Sequence, residues 1–201
     1  MRLLGGWLAK IPEYELKLEI GRHVWQDAQA AESLRVRTGE LRVPADADRR
    51  PPVELQRWLD SLDQAKTPLQ FLVGIYRVAK PRLVGAMVQH MESTDPVCDA
   101  PTLRTVRPII QELGEQINWG EAAIAAVCAG NLVLAAESAA RQAHLEASLA
   151  EAGGLLVEGT PQPAEPEGTV EAGKQSLNRL QAARTPRSER LLIAAREVLS
   201  S

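Results

Sequence analysis

The chain has 201 residues, of which 45% are hydrophobic and only 3% aromatic, and 23 Lys and Arg against 26 Asp and Glu leave a net charge of −3. That length can bury a real core as one folded unit with an appendage. The near balance of charge provides no global field to attract nucleic acid or anionic lipid, so no nucleic-acid partner is expected.

Scarce aromatics and abundant alanine favour close-packed helices over a sheet, and the expected fold class is all-α. Residues 1–12 read as an irregular lead-in, with Trp7 and Leu8 free to pack on the body and Pro12 near the start of a helix. The opening MRLLGGWLAKIPEYELK meets charge too early for a secretory leader. A long helix follows over 13–42, with Leu16, Ile20, Val24, Ala31 and Leu34 on one face at about 100° per residue. Asp27 and His23 fall on that same face, while Arg35, Arg37, Glu40 and Arg42 read as a salt-bridged end.

Pro44, Asp46, Asp48 and the Pro51-Pro52 pair break the chain before a short crossover helix, PPVELQRWLDSLDQA. Thr67 and Pro68 read as N-cap and first residue of a third helix over 68–93. Its apolar line runs through Leu72, Ile75, Tyr76, Ala79, Leu83 and Met87 to His90, and Pro81 predicts a kink around Arg77 to Pro81. Asp99 reads as the N-cap of a fourth helix reaching about Gly120, with Leu103, Val106, Ile109, Ile110, Leu113 and Ile117 on its apolar side. An alanine-rich fifth helix over 121–152, either separate from the fourth or continuous with it, is expected to stop at Gly153-Gly154. Its run AAIAAVCAGNLVLAA is too short for a membrane span of about 20 residues, so no membrane partner is expected and the location expected is the cytoplasm. Cys98 and Cys128 lack zinc or thioredoxin spacing and read as two free thiols.

The domain reading is therefore a helical bundle over 1–157, an acidic Pro-rich linker over 158–173, and a basic helical tail over 174–201. The tail carries Lys174, Arg179, Arg184, Arg187, Arg190 and Arg196, with Leu191, Leu192, Ala195 and Leu199 available to dock on the bundle or on a protein partner.

An ionisable group buried without a partner costs several kcal/mol. Asp27, His23 and His90 on apolar faces therefore predict a shared polar network where the first and third long helices meet. The three tryptophans at 25, 58 and 119 read as core or rim packing. No serine lies in a nucleophile-elbow context, and Gly-rich phosphate loops are absent.

The runs GRHVWQDAQAAESLRVRTGELR, TDPVCDAPTLR and IIQELGEQINWG, within residues 15–155, resemble an uncharacterised bacterial branch of the ferritin-like superfamily. The resemblance implies a ferritin-like bundle of four long helices with a short crossover helix and an extra C-terminal helix. It also implies inward carboxylates and two Glu-x-x-His pairs for a di-iron or di-manganese centre. The matching positions here read Asp27-Ala28-Gln29-Ala30 and Glu112-Leu113-Gly114-Glu115, and both lack the histidine.

The remaining metal candidates are Glu19, His23, Asp27, His90, Glu92 and Glu112, with Glu115 beside them. The expectation is a ligand-depleted, non-catalytic homodimer with a structural or protein-binding role and no resident cofactor. A metal-dependent oxidoreductase using iron or manganese is the first alternative. A small-molecule-binding bundle with room made by Pro81 beside His90 is the second.

Overall fold

The computed structural model describes residues 2–42 and 51–155. The linker and tail expected over 158–173 and 174–201, and the loop positions Pro44, Asp46 and Asp48, lie outside the described residues. Among the described residues every regular element is helical: α1 (Arg2–Leu8), α2 (Tyr14–Glu40), α3 (Val53–Asp63), α4 (Pro68–Leu72), a π-helical segment (Val73–Ala79), α5 (Lys80–Ser93), α6 (Ala100–Cys128) and α7 (Leu132–Glu151). The fold is all-α, and no described helix is long and apolar enough to cross a membrane.

The helix α4, the π segment and α5 run without interruption over residues 68–93, the span predicted from periodicity. The start is set by Thr67, whose side chain accepts the Gln70 amide at 3.2 Å with Pro68 at the first position. The expected kink takes the form of π-helix. Pro81 has no amide to donate, and its ring would press on the carbonyl one turn back. Wider i→i+5 turns before it, with the Lys80 amide bonded to Ile75 O, accommodate the ring inside a continuous helix.

Three boundaries differ from expectation. The lead-in is helical over Arg2–Leu8 because it buries Leu4 and Trp7, and Trp7 stacks on Phe71 at 4.8 Å. The fourth helix does not end at Gly120 but continues to Cys128. Gly120 is a packing residue there, and the break falls at Gly130 (φ 70°), after which Asn131 caps α7 through Val133 and Leu134 amides at 3.1 Å. Asp99 does immediately precede α6, but its carboxylate accepts from Thr102, Thr94 and Arg37 side chains rather than capping the helix. At the far end α7 stops where expected, with Gly153 and Gly154 at φ 80° and 84° returning their amides to Ala150 and Leu149 carbonyls at 3.0 Å.

Helix α6 is the central element, packed on α2, α4, the π segment, α5 and α7, and its predicted apolar side is buried throughout. One cluster joins Val84 to Val106, Ile110 and Ile117 along α5 and α6. A second joins Trp58 and Leu62 of α3 to Leu145 and Leu149 of α7, and Trp58 Nε1 donates to Leu145 O at 3.0 Å. A third lies where α1, α2 and the π segment meet, around Ile11, Ile20, Leu72 and Tyr76. On α2 the buried face is narrower than predicted: Ile20 and His23 are buried, Leu16, Val24 and Leu34 half-buried, and Ala31 exposed.

Candidate functional site

Polar side chains meet in the interior where the π segment and the start of α5 face α2 and α6. Lys80, one residue before Pro81, sends its chain inward and is 5% exposed. Its Nζ donates to both carboxylate oxygens of Asp27 at 2.8 Å and to Gln116 Oε1. Gln116, 1% exposed, passes the contact on by donating Nε2 to Gln26 Oε1 at 3.0 Å. Three ammonium protons thus face three acceptors, which is the full donor capacity of a lysine. Burial still pulls the Lys80 ammonium below its ordinary range, although Asp27 opposes that shift by charge and hydrogen bond.

His23 lies one helical turn before Asp27 and is fully buried. Its Nδ1 lies 2.7 Å from the Tyr76 hydroxyl, and Arg22 Nη2, a donor only, stands 3.4 Å from Nε2. Burial first, then the charges of Lys80 and Arg22, lower its pKa to about 3, so the imidazole is neutral at neutral pH. Tyr76 and Trp119 close over it edge-on, with ring centroids 5.6 and 5.0 Å from the imidazole. The phenol is pushed upward by burial and by the charge of Asp27. Tyr76 fits only because residue 120 is glycine: a Cβ there would stand 2.7 Å from Tyr76 Cδ1 and closer still to its Cβ and Cγ. On the other side of the π segment, Arg77 grips both oxygens of Glu121 at 3.0 to 3.1 Å and donates to Ser138 Oγ at 2.7 Å, tying the segment to α6 and α7.

The predicted network is therefore present in part, with a different membership. His23 and Asp27 are both in it. His90 is not: it is 48% exposed, its Nε2 is 3.3 Å from Asp99, and it lies ten residues beyond Lys80, about 15 Å along the helix. There it joins a second cluster, in which Arg37 donates to Thr102 Oγ1 at 2.7 Å and to Asp99 at 3.4 Å, pinning the end of α2 to the start of α6.

Of the remaining metal candidates, Glu19 reaches within 3.9 Å of His23 Nε2 but is held by Arg22 at 2.8 Å. Glu92 is exposed, Glu112 half-buried and Glu115 exposed. Among the described residues no group of three or more His, Cys, Asp and Glu side chains is placed to hold a metal ion. Glu19, His23, Asp27, His90, Glu92 and Glu112 as arranged do not fit the two-metal centre that the resemblance implies, since Asp27 is engaged by an ammonium and His23 by a phenol. Cys98 and Cys128 are free thiols.

Lys80 and Gln116 were not singled out from sequence. Lys80 is four residues after Tyr76 and three before Leu83, on the predicted apolar line, and that placement was the available signal. Gln116, one residue before Ile117 and three after Leu113, is the same kind of case on α6.

Comparison with protein-family models, with curated proteins and with solved structures gives no match.

Proposed function

We propose that this is a ligand-depleted, non-catalytic protein of ferritin-like descent that acts as a homodimer in a structural or protein-binding role. The observation that carries the reading is the Lys80 ammonium. It supplies, from within the chain, a positive charge held by both oxygens of Asp27, and Gln116 accepts its third proton. A carboxylate neutralised this way has little left to offer a metal, and the neutral His23 beside it is held by Tyr76. Elemental analysis of protein purified without chelators, before and after incubation with Fe(II) or Mn(II), is the test. Far less than one metal per chain and an unchanged melting temperature in EDTA are expected. About two ions per chain would establish the metal-dependent oxidoreductase instead.

One observation favours a second reading, a small-molecule-binding bundle. A groove of about 430 Å³ runs between the start of α2 and the later half of α6, lined by Glu13, Leu16, Glu19, Trp119, Ala123 and Val127. It lies away from Pro81 and His90, where room was expected: Pro81 is buried and His90 exposed. An acidic rim over an apolar floor with a tryptophan suits an organic cation. In the same melting assay, stabilisation by such a compound at submillimolar concentration would support this reading.

A further inference from the structure

The groove between the start of α2 and the later half of α6 has an acidic wall with charge to spare. Glu19 is held by Arg22 at 2.8 Å, but Glu13 and Glu15 are exposed and form no ion pair among the described residues. The floor is apolar: Ala122, Ala126 and Val127 are exposed on α6, and Trp119 is half-buried at its near end. Alanines there let a second helix approach closely, and a guanidinium can stack on the indole.

This chain carries a segment of matching chemistry outside the described residues, RSERLLIAAREVL at 187–199. At 100° per residue Leu191, Leu192, Ala195 and Leu199 fall within an arc of about 100°. Arg187 and Arg190 border that arc on one side with no acid between them, whereas Glu189 falls beside Arg196 on the other. One cationic border therefore faces one acidic wall. The lengths agree as well, since Leu191 to Leu199 and Trp119 to Val127 each span about 12 Å at helical rise.

The tether makes a small contact sufficient. Leu3 packs both on the cluster that Leu155 joins and on the one that Leu16, Trp119 and Ala123 join, so the described chain ends beside the clusters under the groove. About 30 residues separate Leu155 from Arg187, and at up to about 3.3 Å each they reach any point on the body. A segment tethered in this way meets its site at an effective concentration on the order of 1 mM, which fills a contact too weak to hold a free partner.

We propose that the groove is the docking site of this chain's own basic tail, with Arg187 and Arg190 on Glu13 and Glu15 and the leucines on the alanine floor. Docked there, the tail covers Trp119 and Glu19, and a small organic cation enters the groove only by displacing it. The docking is independent of the metal and ligand readings above.

Hydrogen exchange of the full chain, read by mass spectrometry at about 1 and about 50 μM, tests it. Amides of 191–199 are expected to exchange about tenfold more slowly in wild type than in Glu13→Arg/Glu15→Arg, the ratio for an intrinsic dissociation constant on the order of 0.1 mM. The difference should be the same at both concentrations. Arg187→Glu/Arg190→Glu should lose the same protection, and combining all four changes should restore it. Glu54→Arg/Asp63→Arg, which reverses two exposed carboxylates on α3 outside the groove, should match wild type. Circular dichroism and melting temperature establish that each variant is folded. Tail amides that exchange equally fast in wild type and in both reversed pairs overturn the proposal. Protection that survives Glu13→Arg/Glu15→Arg places the tail elsewhere and overturns the groove, and a four-change variant that stays unprotected overturns the pairing of these charges. Protection seen only at the higher concentration makes the contact one between copies and overturns docking within the chain.

Discussion

Lys80→Met removes the interior ammonium while keeping most of its chain length, and it leaves Asp27 and Gln116 facing an apolar methyl. Taking one member from a buried ion pair costs about 3–5 kcal/mol, because the other charge is stranded. Asp27 is 20% exposed at its side chain and can recruit water, so the expected loss is at the lower end, about 3 kcal/mol. In a body of this size 1 kcal/mol moves the melting temperature by about 2–4 °C, which gives a fall of about 6–12 °C.

Adding Asp27→Leu should restore most of that loss, since replacing a whole buried pair by apolar side chains is close to neutral. About 1 kcal/mol should persist, because Gln116 Oε1 still lacks its donor. Urea denaturation of wild type, both single variants and the double variant measures the coupling, expected at about 5 kcal/mol because Asp27→Leu alone strands the ammonium and also costs about 3 kcal/mol. The pH dependence supplies a second readout. Burial depresses Lys80 in the folded protein, so the unfolded chain binds more protons between that depressed value and the ordinary 10.5. Wild-type stability should therefore rise with pH through that window, and the rise should be absent in Lys80→Met. A single variant within about 0.5 kcal/mol of wild type, or strictly additive effects, would refute the ammonium's role at the centre of the network.

The other predictions concern the groups around it. His23 is depressed to about 3 from 6.5, so its contribution is fully present above pH 6.5 and is lost as pH falls toward 3. Wild type should lose roughly 3 kcal/mol from this group between pH 7 and pH 4, measured against His23→Gln, in which that component is missing. Gly120→Ala should destabilise by about 2 kcal/mol in urea despite the better helix propensity of alanine, because its methyl would overlap the Tyr76 ring. A neutral or stabilising outcome there would mean that Tyr76 can withdraw without loss.

What could be read from the sequence was mostly what one helix imposes on its own residues. The 68–93 span, the Thr67 cap, the Gly153-Gly154 stop and the buried side of α6 all follow from local propensity and a 3.6-residue period. Even the disturbance at Pro81 was legible, because a missing amide must be accommodated within a turn or so of its position. What was not legible depends on which faces meet. His90 continues the line through Tyr76, yet the side of α5 that packs on α6 at this level carries Met87, Val88 and Met91, and His90 emerges beside Asp99. Gly120 looked like a helix stop, whereas its missing side chain makes space for a tyrosine 44 positions earlier. Trp25 was assigned to core or rim packing by residue type and is in water.

The last of these misplacements has a counterpart on the same helix. His23 and Trp25 are two residues apart on α2, about 200° around the helix, and their placement inverts the usual pattern, with the imidazole fully buried and the indole mostly exposed. The imidazole costs desolvation and the indole leaves apolar area in water, although Ile20 still anchors the inner side and Glu32 and Arg35 keep the outer side charged. The buried side becomes intelligible because it has dedicated partners within the chain. Lys80 and Tyr76 are those partners, as the hydrogen bonds show.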